Sequence, residues 1–581
     1  MFKRSKINIE IVDAGGTLSL TSNPKRDKTW HKALVGIEHT KENKTVLINH
    51  SDLIRFEEAL VQQAYDVEQT PLLYRLFINR KKNSLLRLNW ERIPEKIREN
   101  WFPFQKEDVE RAVNEFAGKC FLAHDMGCGK SLISLGVVSN YRTKSSRHLI
   151  IVPSYLRQNW WVEVSTWLGH DAQVIFKTKD ALTLNQFVIV SYDLAVRKLA
   201  EIQAIKWTTI TADECHYLKS RTAKRTKLLG PLIQQCNHVL LLSGTPALSR
   251  PCELFTQFQA LFPRTFKQFS LFAKRYCNLK KTVWGWDSSG STNPDELGVL
   301  MASSMIRRLK RDVLKDLPKK TRRQITIPLS KKEKKELESN FAKLKEMNEI
   351  LNKVVVADQE TRNLAFQRQS LVSELFRCTA RAKLKGVCDY VKGILQDNTD
   401  QKIILFGYHQ ITMNSLEQLI SEQLKERFIR IDGKTPQMER QSLVDAFQDK
   451  DGPRIAILSI GACNSGITLT ACHYTIFCEL TWTPALMLQC EDRTHRIGAT
   501  QVCHYDYLCA EDSLDERVLS KIQGKFGLLD QIIDGNANKD GFDILETEAF
   551  DRVFEEEEEE EGEGEGEGEE DVEPIAKRIC V

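Results

Sequence analysis

The sequence contains no run of about eighteen or more apolar residues, the minimum for a membrane-spanning helix, so no membrane partner is expected. The first residues, Met1 to Lys6, are not followed by the apolar stretch that a secretory signal requires. None of the 15 cysteines belongs to a Cys-x-x-Cys pair, so neither a zinc ribbon nor a thioredoxin-like centre is visible. Without an export signal, we expect these cysteines to be reduced thiols of a cytosolic or nuclear protein.

Net charge is also small, at +4 for the whole chain, but it is unevenly distributed. Residues 555–581 hold 14 acidic and 2 basic side chains, a net of −12, which leaves +16 on residues 1–554. A basic body suits a polyanionic partner. The alternating glutamates and glycines from Glu555 to Glu570 cannot build a core, so this segment is expected to be disordered. It is either a solvated tail, or a DNA mimic or docking segment for basic proteins such as histones.

The length of 581 residues exceeds that of one ordinary domain. Two long stretches alternate short β-branched runs with helical ones, which is typical of a parallel sheet with helices on both faces. The predicted fold class is therefore α/β, with two tandem lobes and a ligand cleft between them. The predicted domains are a small mixed α/β accessory module (1–92), a first lobe (93–315), a helical protrusion or linker (316–379), a second lobe (380–540) and a disordered acidic tail (541–581).

Strands are predicted from short apolar runs bounded by turn signals. In the accessory module these are Ile7 to Ile11 and Thr45 to Ile48, followed by a helical stretch that opens at Ser51. In the first lobe they are Cys120–Leu122, Leu149–Val152, Val188–Val190, Thr209–Thr211 and Val239–Leu242. In the second lobe they are Ile403–Phe406, Phe428–Ile431, Ile455–Leu458 and Thr475–Cys478.

The segment from His124 to Ser131 follows a predicted strand and precedes a helical run, which is the context of a phosphate-binding loop. Its glycines let backbone amides approach phosphate oxygens, and the helix N-terminus favours the anion. We expect Lys130 to reach the β- and γ-phosphates of ATP and the Ser131 hydroxyl to hold Mg²⁺. His124 replaces the usual first glycine of the pattern. The predicted nucleotide contacts in this loop are His124, Asp125, Met126, Gly127, Cys128, Gly129, Lys130 and Ser131.

Asp213 and Glu214 follow another apolar strand, where the second half of such a site belongs. Asp213 is predicted to orient Mg²⁺ and Glu214 to polarise the attacking water, although an isolated Asp-Glu pair is usually surface. Gln105 lies upstream of the loop and can pair with both edges of adenine, or it is an ordinary polar residue.

Arg493 and Arg496 lie in the second α/β stretch and share one face if their segment is helical. Arginines placed across a cleft stabilise charge on a transferring phosphoryl group. We therefore predict that closure of the two lobes brings this pair to the phosphate site, which couples hydrolysis to domain motion.

These motifs, in this order, resemble the superfamily-two helicase-like ATPases of the Swi/Snf type over residues 95–530. The resemblance implies two RecA-like lobes and DNA-dependent ATP hydrolysis. Further stretches that carry the resemblance are Ile151–Leu156 with Trp160, Leu242–Pro246, Arg307–Leu314 with Leu317-Pro318, Ser459–Thr470 and Gln489–Gly498.

Within that family, three stretches look like the HARP-like annealing helicases: Ser243–Pro251, Arg275–Cys277 and Cys478–Pro484. This likeness implies forked or bubble DNA as the substrate, rewinding of complementary strands, and a nuclear role in genome maintenance. In this family, DNA contacts are made mainly to phosphates and carry no sequence information. By match, the implied DNA contacts are Ser154, Arg157, Ser191, Thr245, His409, Ser459 and Thr468.

The sequence thus favours an ATP-driven DNA translocase that remodels or reanneals branched DNA. Three alternatives remain: a nucleosome remodeller whose acidic tail docks histones, a true strand-separating helicase, and a DNA-binding scaffold that no longer hydrolyses ATP. The intact Lys130, Asp213 and Arg493 argue against the scaffold.

Overall fold

A computed structural model describes residues 87–520, with gaps at 184, 245–249, 283–284, 353–358, 399 and 462–466, together with five short strands near the ends of the chain. The chain forms two compact units. The first consists mainly of residues 1–278 and 290–309, and the second mainly of residues 310–528. Among the described residues, no helix combines the length and apolar character needed to cross a membrane.

Near the N-terminus, four strands form an antiparallel sheet in the order β1-β2-β4-β3. They are β1 (Ile7–Ile11), β2 (Thr17–Ser22), β3 (His39–Glu42) and β4 (Thr45–Asn49). The two strands predicted here, Ile7 to Ile11 and Thr45 to Ile48, are confirmed. The helical stretch predicted from Ser51 lies outside the described residues.

The first unit contains a seven-stranded sheet in which every neighbouring pair is parallel. Six of its strands are β5 (Lys119–Leu122), β6 (His148–Val152), β7 (Ala172–Val174), β8 (Phe187–Ser191), β9 (Thr209–Ala212) and β10 (His238–Leu242). Next in sequence, β11 (Lys280–Thr282) and β12 (Gly285–Asp287) form a separate small hairpin. The seventh strand of the sheet is β13 (Met305–Ile306). The strand order is β13-β5-β10-β9-β6-β8-β7. All five strands predicted for this lobe are confirmed.

Helices connect these strands, as parallel pairing requires. They are α1 (Glu95–Glu99), α2 (Pro103–Asn114), α3 (Lys130–Tyr141), α4 (Arg157–Leu168), α5 (Tyr192–Arg197), α6 (Leu199–Gln203), α7 (Lys224–Gln235), α8 (Leu254–Leu261), α9 (Phe269–Tyr276) and α10 (Pro294–Ser304). Single 3₁₀ turns are Trp90–Arg92, Ser154–Leu156, Cys215–Leu218 and Pro251–Glu253. Strands β6, β8 and β9 are buried at every residue, which explains the long apolar runs of β6 and β8.

The second unit is built around another parallel seven-stranded sheet, in the order β16-β17-β15-β18-β19-β14-β20. Its strands are β14 (Lys320–Ile327), β15 (Ile403–Gly407), β16 (Phe428–Ile431), β17 (Ile455–Ser459), β18 (Tyr474–Phe477), β19 (Cys503–Ala510) and β20 (Glu546–Ala549). The four strands predicted for this lobe are confirmed, and β14, β19 and β20 were not predicted.

The helices of the second unit are α11 (Lys310–Val313), α12 (Lys331–Asn352), α13 (Gln359–Ala382), α14 (Leu384–Asp397), α15 (Gln410–Gln418), α16 (Gln437–Gln448) and α17 (Pro484–Glu491), with a π-helical turn at Leu419–Leu424. Two predictions need correction. The segment 316–379 is not helical throughout, because it contains β14, which pairs with β19 over eight residues. Residues 546–549, predicted as disordered tail, pair with β14 as strand β20.

Candidate active site

The predicted phosphate loop connects β5 to α3 in the first unit, at the carboxyl edge of the parallel sheet. Gly127 and Gly129 both have positive φ, at 82° and 75°, a region that favours glycine. A Cβ atom on Gly129 would lie 2.3 Å from the Nε2 atom of Gln105. The loop therefore needs a residue without a side chain at position 129 both for its backbone conformation and for packing.

Lys130 begins α3 and turns its side chain back over the loop. Its Nζ donates to the carbonyl oxygens of His124 and Asp125 at 2.9 and 3.1 Å. Ser131 follows in the first helical turn, half-buried, where backbone N–H groups have no partner within the helix. The structure thus brings a lysine ammonium, a hydroxyl and a helix N-terminus together, which is a set of groups suited to a polyphosphate.

Gln105 lies beneath the loop and is buried. Its Oε1 accepts from the Phe102 amide at 3.0 Å, and its Nε2 donates to the Cys128 carbonyl at 3.2 Å. The side chain therefore caps the start of α2 and ties that helix to the phosphate loop. In this structure its amide group supports the loop from below.

His124 is fully buried and joins the loop to two other elements of the first unit. Its Nε2 lies 2.8 Å from Oδ2 of Asp108, and its Nδ1 lies 3.1 Å from the Ile306 carbonyl. Asp108 also accepts from Arg308 at 2.7 and 3.0 Å. Burial alone would raise the pKa of Asp108, but the hydrogen bonds from His124 and Arg308 outweigh it and hold that pKa below its usual range.

Asp213 and Glu214 follow β9, at the same carboxyl edge as the loop. Asp213 is fixed by three contacts: Trp160 Nε1 donates to its Oδ2 at 2.9 Å, the Glu214 amide to its Oδ1 at 2.8 Å, and the Tyr192 hydroxyl to its carbonyl at 2.8 Å. Glu214 adopts a left-handed backbone conformation with φ of 48°.

Burial and the neighbouring charge of Glu214 raise the pKa of Asp213 to about 6, against the lowering effects of the Trp160 hydrogen bond and the charge of Lys130. A carboxylate that is costly to ionise in isolation gains most from a bound cation. The carboxylates of Asp213 and Glu214 and the hydroxyl of Ser131 are oxygen donors, which is the chemistry that Mg²⁺ prefers.

The end of β10 also meets this edge. His216 Nδ1 lies 3.2 Å from a carboxylate oxygen of Glu214 and 3.5 Å from the Ser243 hydroxyl. A Cβ atom on Gly244 would lie 2.7 Å from the side chain of Met126, so Gly244 packs directly on the phosphate loop. Three strand ends, those of β5, β9 and β10, thus converge on one place in the first unit.

Arg493 and Arg496 lie in turns just beyond the end of α17, so they do not share a helical face. Arg493 is buried, and its carbonyl accepts from the Leu469 amide at 2.9 Å. Arg496 is half-buried and donates to the Thr468 hydroxyl at 2.8 Å. The arginine segment, defined as residues 491–496, is anchored by Glu491, which is fully buried and accepts from Arg322 Nε at 2.6 Å and from Tyr507 at 2.6 Å.

Among the residues predicted to contact DNA, three in the first unit are described. Ser154 is exposed just after β6. Ser191 is buried at the end of β8, and its hydroxyl caps α5 by accepting from the Leu194 amide at 3.3 Å. Arg157 is buried and donates to the carbonyls of Ser154 and Ile175, so its guanidinium holds the local fold. Thr245 lies outside the described residues.

The three predicted DNA contacts of the second unit lie at or beyond the carboxyl ends of its strands. Ser459 ends β17, and His409 follows β15 at the position just before α15. His409 is held by Glu479, whose carboxylate accepts from the imidazole at 2.6 Å and from the His409 amide at 2.8 Å. Thr468 is bonded to Arg496.

Several residues of the site were not predicted as such from sequence. They are Trp160 and Tyr192, which fix Asp213, together with Asp108, Arg307 and Arg308, which brace the loop. Trp160 and the Arg307-Arg308 stretch belong to family motifs, but no pattern in the sequence gives their partners. Asp213 lies 53 residues from Trp160, and Asp108 lies 200 residues from Arg308.

Two family models match the chain. The SNF2-related domain matches residues 75–374, more than half of the chain, and the helicase conserved C-terminal domain matches residues 382–498.

Among curated relatives, the DNA annealing helicase and endonuclease ZRANB3 of Bos taurus is 35% identical over 461 residues, covering 77% of this chain and 42% of the bovine protein. The SWI/SNF-related matrix-associated actin-dependent regulator of chromatin subfamily A-like protein 1 of Xenopus tropicalis is 33% identical over 528 residues, covering 86% of this chain and 54% of that protein. The matched region therefore spans about half the length of these relatives. A solved structure described as the Sulfolobus solfataricus SWI2/SNF2 ATPase core in complex with dsDNA is 20% identical, with a TM-score of 0.37, over 75% of this chain and 94% of that one. On the match of residues 75–374, this chain belongs to the SNF2-related family.

Proposed function

We propose that this protein is a DNA-dependent ATPase that translocates on duplex or branched DNA and reanneals complementary strands at forks. The observation that carries the proposal is the convergence of Lys130, Ser131, Asp213 and Glu214 at one sheet edge in a chain of the SNF2-related family. Relatives at 35% identity are named as DNA annealing helicases, which supports the choice of substrate. We also propose a nuclear location, which is supported by relatives whose names refer to DNA annealing and chromatin.

Each residue of the site has a proposed task. Lys130 binds the β- and γ-phosphates together with the amides of the loop residues 124–131. Glu214 orients and polarises the attacking water. Ser131 and Asp213 hold Mg²⁺, which supplies positive charge to the phosphate oxygens when bound. Gln105 supports the loop through its hydrogen bond to the Cys128 carbonyl. We propose that Gln105 also contacts the adenine base.

In the second unit, Arg493 and Arg496 are proposed to stabilise the charge that develops on the transferred phosphoryl group. For DNA, we propose contacts from Ser154, His409 and Ser459, which lie at the carboxyl ends of strands. Ser191, Thr245 and Thr468 remain in the proposed set. For Arg157 we favour a structural task, because its Nε and Nη1 already donate to backbone carbonyls. Such contacts read phosphates and not bases.

The test is steady-state ATP hydrolysis by the whole chain and by Lys130→Ala, each without DNA and with single-stranded, duplex or forked DNA. Removal of the ammonium should reduce hydrolysis at least ~100-fold, because no other cation in the loop can take over its charge. Lys334→Ala is the matched control, since that lysine pairs with Glu511 in the second unit.

Stimulation by forked or duplex DNA that is lost only in Lys130→Ala supports the proposal. Absence of hydrolysis with every DNA would leave a DNA-binding scaffold. Reannealing is then measured as the loss of a single-stranded bubble coated with a single-strand-binding protein. A chain that hydrolyses ATP on duplex DNA without closing bubbles would be a translocase of another kind.

The acidic residues of 555–581 are proposed to dock basic proteins such as histones, because they concentrate a net charge of −12 in 27 residues. Binding of core histones at physiological salt should fall at least tenfold when residues 555–581 are removed. Equal binding by the truncated chain would contradict this role.

A further inference from the structure

One continuous stretch, residues 306–322, is defined here as the connecting segment. The chain passes from the first unit to the second within it, at Leu309 and Lys310. The motif Arg307–Leu314 lies in this segment, and it has no part in the proposed binding of nucleotide or DNA. Its contacts within each unit are unusually specific.

On the side of the first unit, the connecting segment runs along the start of the phosphate loop. The Ile306 carbonyl accepts from the Ala123 amide at 2.8 Å, and the Arg308 carbonyl accepts from the Asp125 amide at 3.0 Å. Arg307 Nη1 donates to the Ala123 carbonyl at 2.8 Å. The backbone of the loop entrance is thus paired with the connecting segment on both sides of His124.

The side chain of Arg308 adds an anchor to a buried carboxylate. Its guanidinium is half-buried and donates to both oxygens of Asp108, which is itself fully buried and bonded to His124. Displacement of Arg308 is costly, because it would leave the buried Asp108 without its positive partner. A movement of the phosphate loop therefore moves Arg308 with it.

On the side of the second unit, the same segment is anchored to the arginine segment 491–496. Lys310 is buried, and its Nζ donates to Asp492 Oδ1 at 2.5 Å and to the His495 carbonyl at 2.7 Å. His495 Nε2 in turn lies 2.7 Å from the Pro318 carbonyl, where it donates. Lys320 and Arg322 both pair with Glu491, at 2.9 and 2.6 Å.

Only Leu309 separates the two anchors Arg308 and Lys310. Two virtual Cα–Cα bonds span at most about 7 Å, so the chain between the anchors has almost no slack. Each anchor is held by short charged contacts within its own unit. A displacement at one anchor must therefore be taken up at the other or break a buried ion pair.

We infer that the connecting segment couples the phosphate loop to the arginine segment, with Arg308 and Lys310 as positioning residues that touch neither nucleotide nor DNA. This inference rests on the proposed function, and it adds the path by which a change at the loop reaches Arg493 and Arg496. It assigns Arg308 to the binding of nucleotide and Lys310 to the turnover that follows.

The first experiment inserts two glycines between Leu309 and Lys310, which adds about 7 Å of slack and leaves every anchor residue in place. Nucleotide affinity, measured with a fluorescent ATP analogue, should stay within about twofold of the unaltered chain. DNA-stimulated turnover should fall at least about tenfold, and more ATP should be hydrolysed per triplex-forming strand displaced from duplex DNA. The control carries the same insertion after Lys144, in an exposed turn of the first unit.

The second experiment compares Lys310→Met with Lys334→Met, two lysines that each pair with a carboxylate in the second unit. Lys310→Met should lower kcat at least about tenfold with KM for ATP within about twofold, while Lys334→Met should change neither. Arg308→Lys should instead raise KM for ATP, because its contacts lie at the loop. Thermal melting checks that each variant is folded. If Lys310→Met is not folded, the insertion variant tests the coupling by itself.

The outcomes separate the two proposals. An unaltered chain without DNA-stimulated hydrolysis overturns the proposed function. An active chain whose insertion variant keeps normal turnover and normal ATP use per displaced strand overturns the coupling inference alone. A uniform loss in Lys310→Met and Lys334→Met would also overturn it, because a general loss of stability would then explain both.

Discussion

The phosphate loop has no room for a Cβ atom at Gly129. The backbone there has a φ of 75°, and a Cβ would come within 2.3 Å of Gln105 Nε2. Gln105 cannot move aside without losing its bonds to Phe102 and Cys128. Both backbone strain and a steric clash therefore act at this position.

Gly129→Ala should abolish ATP binding and lower the free energy of unfolding by about 3 kcal/mol, from left-handed strain of 1–2 kcal/mol together with the displaced Gln105. Gly169 is a matched control, because its φ is 63° but a Cβ there would meet nothing within 4 Å. Gly169→Ala should cost about 1 kcal/mol and leave ATP binding unchanged. Urea unfolding and titration with a fluorescent ATP analogue measure both. Equal losses of stability in the two variants would show that the close approach of Gln105 adds nothing.

The residues proposed to bind nucleotide could be predicted from sequence because the order of loop, strand and acidic pair fixes their places. Lys130 must begin a helix after a strand, and Asp213 must end another strand of the same parallel sheet. Their partners could not be predicted. Trp160 reaches Asp213 from helix α4, and Arg308 reaches Asp108 across 200 residues of sequence. Such pairs depend on how the elements pack, which local patterns do not encode.

At the scale of elements, the buried apolar strands could be predicted from sequence, whereas strands whose charged side chains form ion pairs could not. Strand β14 reads Lys-Thr-Arg-Arg-Gln-Ile-Thr-Ile, with no clear apolar alternation in its first half. It belongs in the sheet because Arg322 pairs with Glu491 and Arg323 with Asp506. Strand β19 supplies that aspartate and two buried tyrosines, Tyr505 and Tyr507. Paired charges thus made two interior strands resemble loop sequence.

These same charged strands hold the arginine segment 491–496 in place. The pKa of Glu491 is held well below its usual range, because the charges of Arg322 and Lys320 outweigh the effect of burial. Its carboxylate is therefore ionised at neutral pH and fixes the start of the arginine segment to β14 and β19. An apolar pair of strands would pack as well but would leave Arg493 and Arg496 without this attachment. The charged and polar residues that made these strands hard to predict are therefore the residues that hold Arg493 and Arg496 in place.

At the scale of the whole molecule, two regions of opposite charge are joined in one chain, with +16 on residues 1–554 and −12 on residues 555–581. A basic body that binds DNA phosphates gains affinity from released counterions, so its binding should weaken steeply as salt rises. We expect the acidic residues to compete with DNA for the same basic surface, because both are polyanions. That competition depends on charge and is screened over about 10 Å at 0.1 M salt.

Removal of residues 555–581 should therefore tighten duplex DNA binding at about 50 mM salt by on the order of tenfold, with the advantage disappearing as salt approaches about 0.5 M. The control keeps the length of this segment and replaces each of its 14 acidic residues by the corresponding amide. Because the expected competition depends on charge, this variant should behave like the truncated chain. Fluorescence anisotropy of a labelled duplex measures both across a salt series. If the amide variant binds like the unaltered chain while the truncation binds more tightly, the segment acts by bulk, and electrostatic competition is excluded.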